Sequence, residues 1–238
     1  MTQALVHDKN ILVFAPHPDD AELAMGGTLA LLIEQGWHVT VADVTTGEPT
    51  PAGSEAIRKN ETAAASKALG ITERINLGLP NRYVEVTLEN RHILAETIRQ
   101  YKPRWVFAPY TPDAHPDHVH ISQLIQDACF AAKLTKTETK YEPHHPEKVI
   151  YYYATHLKVH PVPSFCIDIS AQWDKKVAAI TAYQSQFWSN QKAPEKQGWI
   201  IDHLSTINHY FGNRTGVKYA EPFFTHELVA LASLEGLL

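Results

Sequence analysis

The chain has 238 residues, 44% of them hydrophobic and 20% charged, a globular composition that excludes wholesale disorder. Its net charge of −5 argues against a nucleic-acid partner, which calls for an excess of Lys and Arg. No stretch approaches the roughly 20 apolar residues of a membrane span, and the first apolar run, Ile11–Ala15, is too short for a signal peptide.

Two cysteines, Cys129 and Cys166, make no disulfide framework and show no CxxC spacing; both read as small buried hydrophobes. The expectation is a cytoplasmic protein without a membrane partner, folded as one domain over residues 1–238. There are 14 histidines, so position must decide which of them carry chemistry.

In chain order, Ile11–Phe14 is an apolar run of strand length, and Ala24–Gln35 reads as a helix ending at Gly36. His38–Val44 is a second strand, Glu55–Leu69 an Ala-rich helix stopped by Gly70, and Arg74–Leu77 a short strand. Leu88–Tyr101 is an amphipathic helix with Thr87 as its N-cap. Trp105–Ala108 is a buried strand, followed by a helix over Val119–Lys133, and Val149–Tyr153 and Phe165–Ile169 are strands. Ala171–Gln186 reads as one helix capped by Ser170, Ser189–Gly198 as a mobile polar surface loop, and Trp199–Tyr210 as a last helix before an irregular C-terminal segment. Alternating strands and helices with short connections predict an α/β, Rossmann-like fold: a mainly parallel sheet flanked by helices.

Such sheets bind ligands beyond the carboxyl ends of their strands. After the first strand, a nucleotide-binding chain would carry GxGxxG, whose backbone N–H groups approach a phosphate. Here the segment reads Pro16-His17-Pro18-Asp19-Asp20-Ala21-Glu22, and its carboxylates would repel phosphate. An imidazole beside hard carboxylate oxygens suits Zn2+, and also manganese, iron or nickel. The other reading of Asp19, Asp20 and Glu22 is a helix N-terminus whose dipole favours acids.

The Trp105–Ala108 strand leads into a matching segment, Asp113-Ala114-His115-Pro116-Asp117-His118. Parallel strands place both loops on one sheet edge. A catalytic zinc takes three protein ligands and leaves a position open for water. His17, Asp20 and one of His115 or His118 make that set, leaving Asp19 and the other imidazole free for proton transfer.

The two segments together resemble the LmbE-like (PIG-L) superfamily of zinc-dependent N-acetylsugar deacetylases, over nearly the whole chain. The resemblance leans toward the branch acting on N-acetylglucosaminyl-malate in bacillithiol synthesis. Further stretches that carry it are Leu77–Arg82, Val106–Tyr110, Ser164–Ser170, Ala182–Phe187 and Tyr219–Phe223. It implies His17, Asp20 and His118 as zinc ligands and Asp19 as general base. It makes His115, in its protonated form, the partner of the developing oxyanion or the leaving amine, and it implies a homo-oligomer. Asp117 is placed to orient a nearby imidazole, its other reading being a solvated loop acid.

The polar loop Thr45–Ser54, including Glu48, follows a strand on the same edge and is expected to line the pocket. Arg58 resembles a family arginine that contacts substrate, and Asn81 and Arg82 are further candidates for that role. Two positions depart from the bacillithiol branch: Ala114 stands where an arginine would suit a carboxylate aglycone, and Trp199 where a tyrosine could donate from its hydroxyl. The remaining histidines are expected to be structural or exposed, with His120 flanking the site. The leading expectation is a zinc-dependent de-N-acetylase of an N-acetylglucosaminyl compound. The alternatives are a metal-dependent hydrolase of another amide or ester, and a sugar- or metal-binding module without catalysis.

Overall fold

Strand β1 (Asn10–Ala15) is buried on both faces, and its alternation divides the core in two. Ile11, Val13 and Ala15 join one hydrophobic cluster, built from α1 (Asp20–Glu34), α2 (Glu55–Leu69) and α5 (Trp173–Thr181). Leu12 and Phe14 join the other, beneath α3 (Leu88–Tyr101) and α4 (Pro116–Ala132). These two layers of helices enclose the sheet. The computed structural model describes residues 9–156, 161–189 and 197–230.

Among the described residues the sheet has seven strands in the order β3-β2-β1-β4-β5-β7-β6. Strands β2 (His38–Thr45), β3 (Glu73–Leu79), β4 (Trp105–Pro109) and β5 (Lys148–Tyr152) extend it in parallel from β1, as the alternating pattern predicts. The chain winds outward from β1 to β3 and then crosses back to place β4 on the other side of β1. A crevice therefore opens between the carboxyl ends of β1 and β4, at the switch point. Both His-Pro-Asp segments lead out of it.

Several boundaries differ from the sequence reading. Helices α1 and α4 begin at Asp20 and Pro116, so each motif runs into the first turn of a helix. The expected helix over Ala171–Gln186 is broken at Tyr183, leaving α5 and a single turn, α6 (Gln184–Phe187). Its N-cap is Gln172; Ser170 instead donates to Asp168 and accepts the Tyr219 amide. Thr87 does cap α3, and Gly70 ends α2 in the left-handed conformation. Of the predicted loop at Ser189–Gly198, residues 190–196 lie outside the described residues.

The segment read as irregular contains a strand, β7 (Ala220–Phe224), between β5 and β6 (Phe165–Asp168) and antiparallel to both. Pro222 hid it, because a proline inside a run argues against a central strand. The ladder to β5 uses only Phe223 and Phe224, so the missing proline N–H leaves no gap in it. The last helix, α7 (Trp199–Thr215), packs on this edge through Phe211. Among the described residues no helix is long and apolar enough to cross a membrane. Cys129 is buried, which pushes its thiol up to about 12, and Cys166 is half-buried.

Candidate active site

His17 leaves the end of β1 and meets both carboxylates that its position demands. Its Nδ1 lies 3.0 Å from Asp20 Oδ2, and its Nε2 lies 3.1 Å from Asp117 Oδ2. His118, on the first turn of α4, is fully buried; its Nδ1 lies 3.2 Å from Asp113 Oδ2. The other nitrogen, Nε2, stands 3.2 Å from Asp20 Oδ2 but is not aligned for a hydrogen bond and has no other partner. His17, Asp20 and His118 each offer a ligand atom within 4.8 Å of the others. A second such group, sharing His17, is formed with His115 and Asp117.

The electrostatics of this cluster favour a cation. Burial opposes charge on both imidazoles, yet Asp117 and Asp20 lift His17 to about 9, and Asp20 and Asp113 lift His118 to about 10. Asp20 is held well below the usual carboxylate range: burial works against ionisation but the two imidazoles outweigh it. A buried, unpartnered imidazole nitrogen facing a carboxylate, with carboxylates behind both histidines, is a donor set that fits Zn2+ or a similar ion.

Asp19 is the residue with the unusual backbone. Its φ of 124° lies where side chains are strained, at the N-cap of α1. Arg58, on α2, donates from Nη1 to Asp19 Oδ2 at 2.8 Å and to the Pro18 carbonyl at 2.6 Å, gripping the strained turn. Burial raises Asp19 to about 7, against the pull of Arg58. A carboxyl poised there can both accept and return a proton at neutral pH.

His115 caps α4 by accepting the Asp117 amide on Nδ1 at 3.2 Å. Burial, and then the charges on His17 and His118, depress it to about 4. With Nδ1 accepting the Asp117 amide, the proton of the neutral ring sits on Nε2. It can still donate from there.

The site opens into a cavity of about 300 Å³ lined by His17, Asp19, Asp20, Arg58, Asn81, Arg82 and His115, among others. Asn81 and Arg82 thus stand where the sequence expected. Arg82 does more: its backbone N–H donates to Asp117 Oδ2 at 2.8 Å, and its Nη2 to the Pro49 carbonyl at 2.8 Å. Glu48 stands elsewhere. It is buried away from the cavity, and its carboxylate is occupied by Arg58 Nε and by the amide and hydroxyl of Thr50. It fixes Arg58 and the loop instead of lining the pocket. His120 also faces away, with Nδ1 2.6 Å from the Val84 carbonyl.

Sequence reasoning passed over Asp113, whose carboxylate orients His118 and also accepts the His115 amide at 2.8 Å. Its place two residues before His115 was the available signal. It passed over His156 too, whose ring lies 5.7 Å from that of His115 and 5.5 Å from that of His118. Only its position after β5, on the same sheet edge, could have pointed to it. Glu22 is fully buried under the site, bonded to Arg74 and to the Tyr183 hydroxyl, while Arg74 forks onto both oxygens of Asp43 at 2.8 Å. That network anchors the first turn of α1 to β2 and β3.

A two-loop His/Asp centre at the switch point of an α/β sheet defines a metal-dependent hydrolase type of site. The chain matches the PIG-L family, described as GlcNAc-PI de-N-acetylase, over residues 12–129. Its fold is similar to that of the conserved protein TT1542 of Thermus thermophilus, with a TM-score of 0.84 and 39% identity, covering 93% of this chain and 96% of that one. A diacetylchitobiose deacetylase of Thermococcus kodakarensis is 29% identical over 229 residues, 90% of this chain and 81% of its own. A probable N-acetyl-α-D-glucosaminyl L-malate deacetylase of Bacillus cereus is 29% identical over 197 residues, 75% of this chain and 84% of its own. A 4-oxalmesaconate hydratase of Pseudomonas putida is 29% identical over 209 residues, 76% of each chain.

The chain belongs to the PIG-L, or LmbE-like, family of deacetylases. It is an enzyme, a hydrolase of amide C–N bonds.

Proposed function

We propose that this protein is a zinc-dependent de-N-acetylase that releases acetate from an N-acetylglucosaminyl conjugate. The observation that carries the reading is the separation of roles within one loop: Asp20 faces His17 and His118, while Asp19, on the same cavity, pairs with Arg58. His17, Asp20 and His118 are the ligands. When bound, the metal would supply Lewis acidity toward the acetamide carbonyl and would lower the pKa of the attacking water.

The residues of the chain do the rest. Asp19 takes a proton from the attacking water as its oxygen bonds to the acetamide carbon. His115 donates through Nε2–H to the carbonyl oxygen while charge builds there, an effect that can be worth a few kcal/mol. The C–N bond then breaks, and Asp19 returns its proton to the nitrogen, leaving free amine and acetate. Arg58 and Glu48 hold Asp19 in its strained turn, and Asn81 and Arg82 contact the sugar. Asp117 orients His17.

The whole chain, residues 1–238, acts as one deacetylase domain, a reading supported by the 93% of it that TT1542 covers. Family resemblance also supports a cytoplasmic homo-oligomer. The malate conjugate of bacillithiol synthesis is one candidate substrate.

The test is acetate and free amine measured together on zinc-loaded protein with N-acetylglucosamine, di-N-acetylchitobiose and N-acetylglucosaminyl malate. Equal molar release from at least one supports the reading. A metal-loaded protein that releases neither from any of them defeats the proposal.

A further inference from the structure

Trp199 opens α7 at the rim of the cavity. This residue is 49% exposed, whereas the next, Ile200, is 1% exposed. The indole is half exposed beside the reaction centre, and aromatic rings with one face free are suited to ligand contact.

Its position is fixed from behind. Gly198 takes a φ of 69°, a left-handed turn that glycine adopts without strain, and its N–H donates to the Phe187 carbonyl at 2.9 Å. A Cβ at Gly198 would stand 3.0 Å from the Trp188 indole nitrogen, so the start of α7 is pressed against the α6 segment. Trp199 further leans on His203, with ring centroids 5.6 Å apart. Phe187 continues the lining beside it, with the buried Ile200 and Leu23 beneath.

The charges of the lining are mostly engaged. Among the described residues Arg58 and Arg82 are its two arginines, and Arg58 is held by Asp19, Glu48 and Pro18. Arg82 reaches the Pro49 carbonyl, and Ala114 supplies no charge. Asn81, Thr50 and Gln186 offer uncharged hydrogen-bonding groups. Among the described residues an anionic aglycone would find one exposed arginine here; an uncharged ring finds a flat apolar face and neutral polar groups around it.

We propose that Trp199 is a specificity-determining residue, and that it stacks against a second, uncharged pyranose ring joined to the acetylated sugar. The substrate class is then an N-acetylated disaccharide or longer glycoside. This rests on the deacetylase reading above and narrows it.

The test compares zinc-loaded wild-type protein with Trp199→Ala and Trp199→Phe on di-N-acetylchitobiose, N-acetylglucosamine and N-acetylglucosaminyl malate. The expected result is a fall of about tenfold in the disaccharide-to-monosaccharide ratio of kcat/KM in Trp199→Ala, carried by KM, with most of it kept in Trp199→Phe. A purely structural role would lower kcat/KM on both substrates together and leave the ratio unchanged, which overturns the proposal. So does a preference for the malate conjugate that is lost in Arg82→Ala.

Binding is read separately by tryptophan fluorescence of zinc-loaded Asp19→Ala titrated with di-N-acetylchitobiose, against the same protein carrying Trp199→Phe. A change that requires Trp199 supports the stacking even where no acetate is released, in which case only the deacetylase reading fails. Acetate release without any dependence on Trp199 defeats this proposal alone.

Discussion

Asp117 accepts from the backbone N–H of Arg82 at 2.8 Å with the same oxygen that lies 3.1 Å from His17 Nε2. Its other oxygen takes the Val84 N–H at 3.3 Å. One carboxylate, buried to 1% exposure, therefore fixes the ring of a metal ligand and the loop that carries Asn81 and Arg82. Metal geometry and substrate loop are joined through it.

Removing that carboxylate is expected to weaken both. Asp117→Asn keeps the shape but loses the charge behind His17, and partners of this kind are worth about 10–100-fold in metal affinity. Competition with a chromophoric chelator measures the zinc affinity, and KM reports the loop. Unchanged zinc affinity would show that His17 is oriented by Asp20 alone.

Asp19→Ala should retain one zinc per chain and lose kcat by about two to four orders of magnitude. The metal content separates this from a collapsed site. Near-normal turnover would remove Asp19 from the role of base.

His118→Ala should lose zinc outright, because it deletes the buried nitrogen that no protein group satisfies. Elemental analysis after dialysis reads this directly. In the unmodified protein, free zinc at 100 times its dissociation constant should raise stability over the metal-stripped form by about 2.7 kcal/mol. Thermal unfolding with and without chelator tests it. An equal midpoint in both would mean that the cluster holds no ion.

Helix α1 offers a test of the support behind the site. It kinks at Met25 (φ −139°, ψ 23°), and the freed amides of Gly27 and Thr28 donate to Glu221 at 3.0 and 2.7 Å. Lys176 Nζ, fully buried, closes the pair at 2.5 Å from Glu221. A Cβ at Gly27 would come within 2.6 Å of Ile169 Cβ, an atom fixed to its backbone. Gly27→Ala is therefore expected to cost about 1–3 kcal/mol in urea unfolding. No loss would show that α1 and the Ile169 segment after β6 can separate freely.

Much of this was legible because it is local. Continuous apolar runs mark β1 and β4, helical periodicity marks α3, and Thr87 and Gly70 bound their helices through hydrogen bonds within a few residues of chain. The two His-Pro-Asp segments announce themselves in the same way, since their ligand types stand side by side. Strand β7 stayed hidden because Pro222 forbids it by local rule, and only the neighbouring β5 and β6 make it a strand.

The sequence by itself determined the reaction type and the residue types that carry it: paired imidazoles and carboxylates after buried parallel strands, in an α/β frame. Tertiary structure alone decided which side chain answers to which. It turned Asp20 toward the histidines and Asp19 toward Arg58, and drew Glu48 out of the pocket to hold that arginine. It brought His156 and Trp199 to the cavity. The physical reason is distance along the chain. Spacing within a loop states what ligands are available, but the pairings of Asp20 with His118, Asp117 with His17 and Asp19 with Arg58 join groups tens of residues apart that only the closed sheet brings within reach.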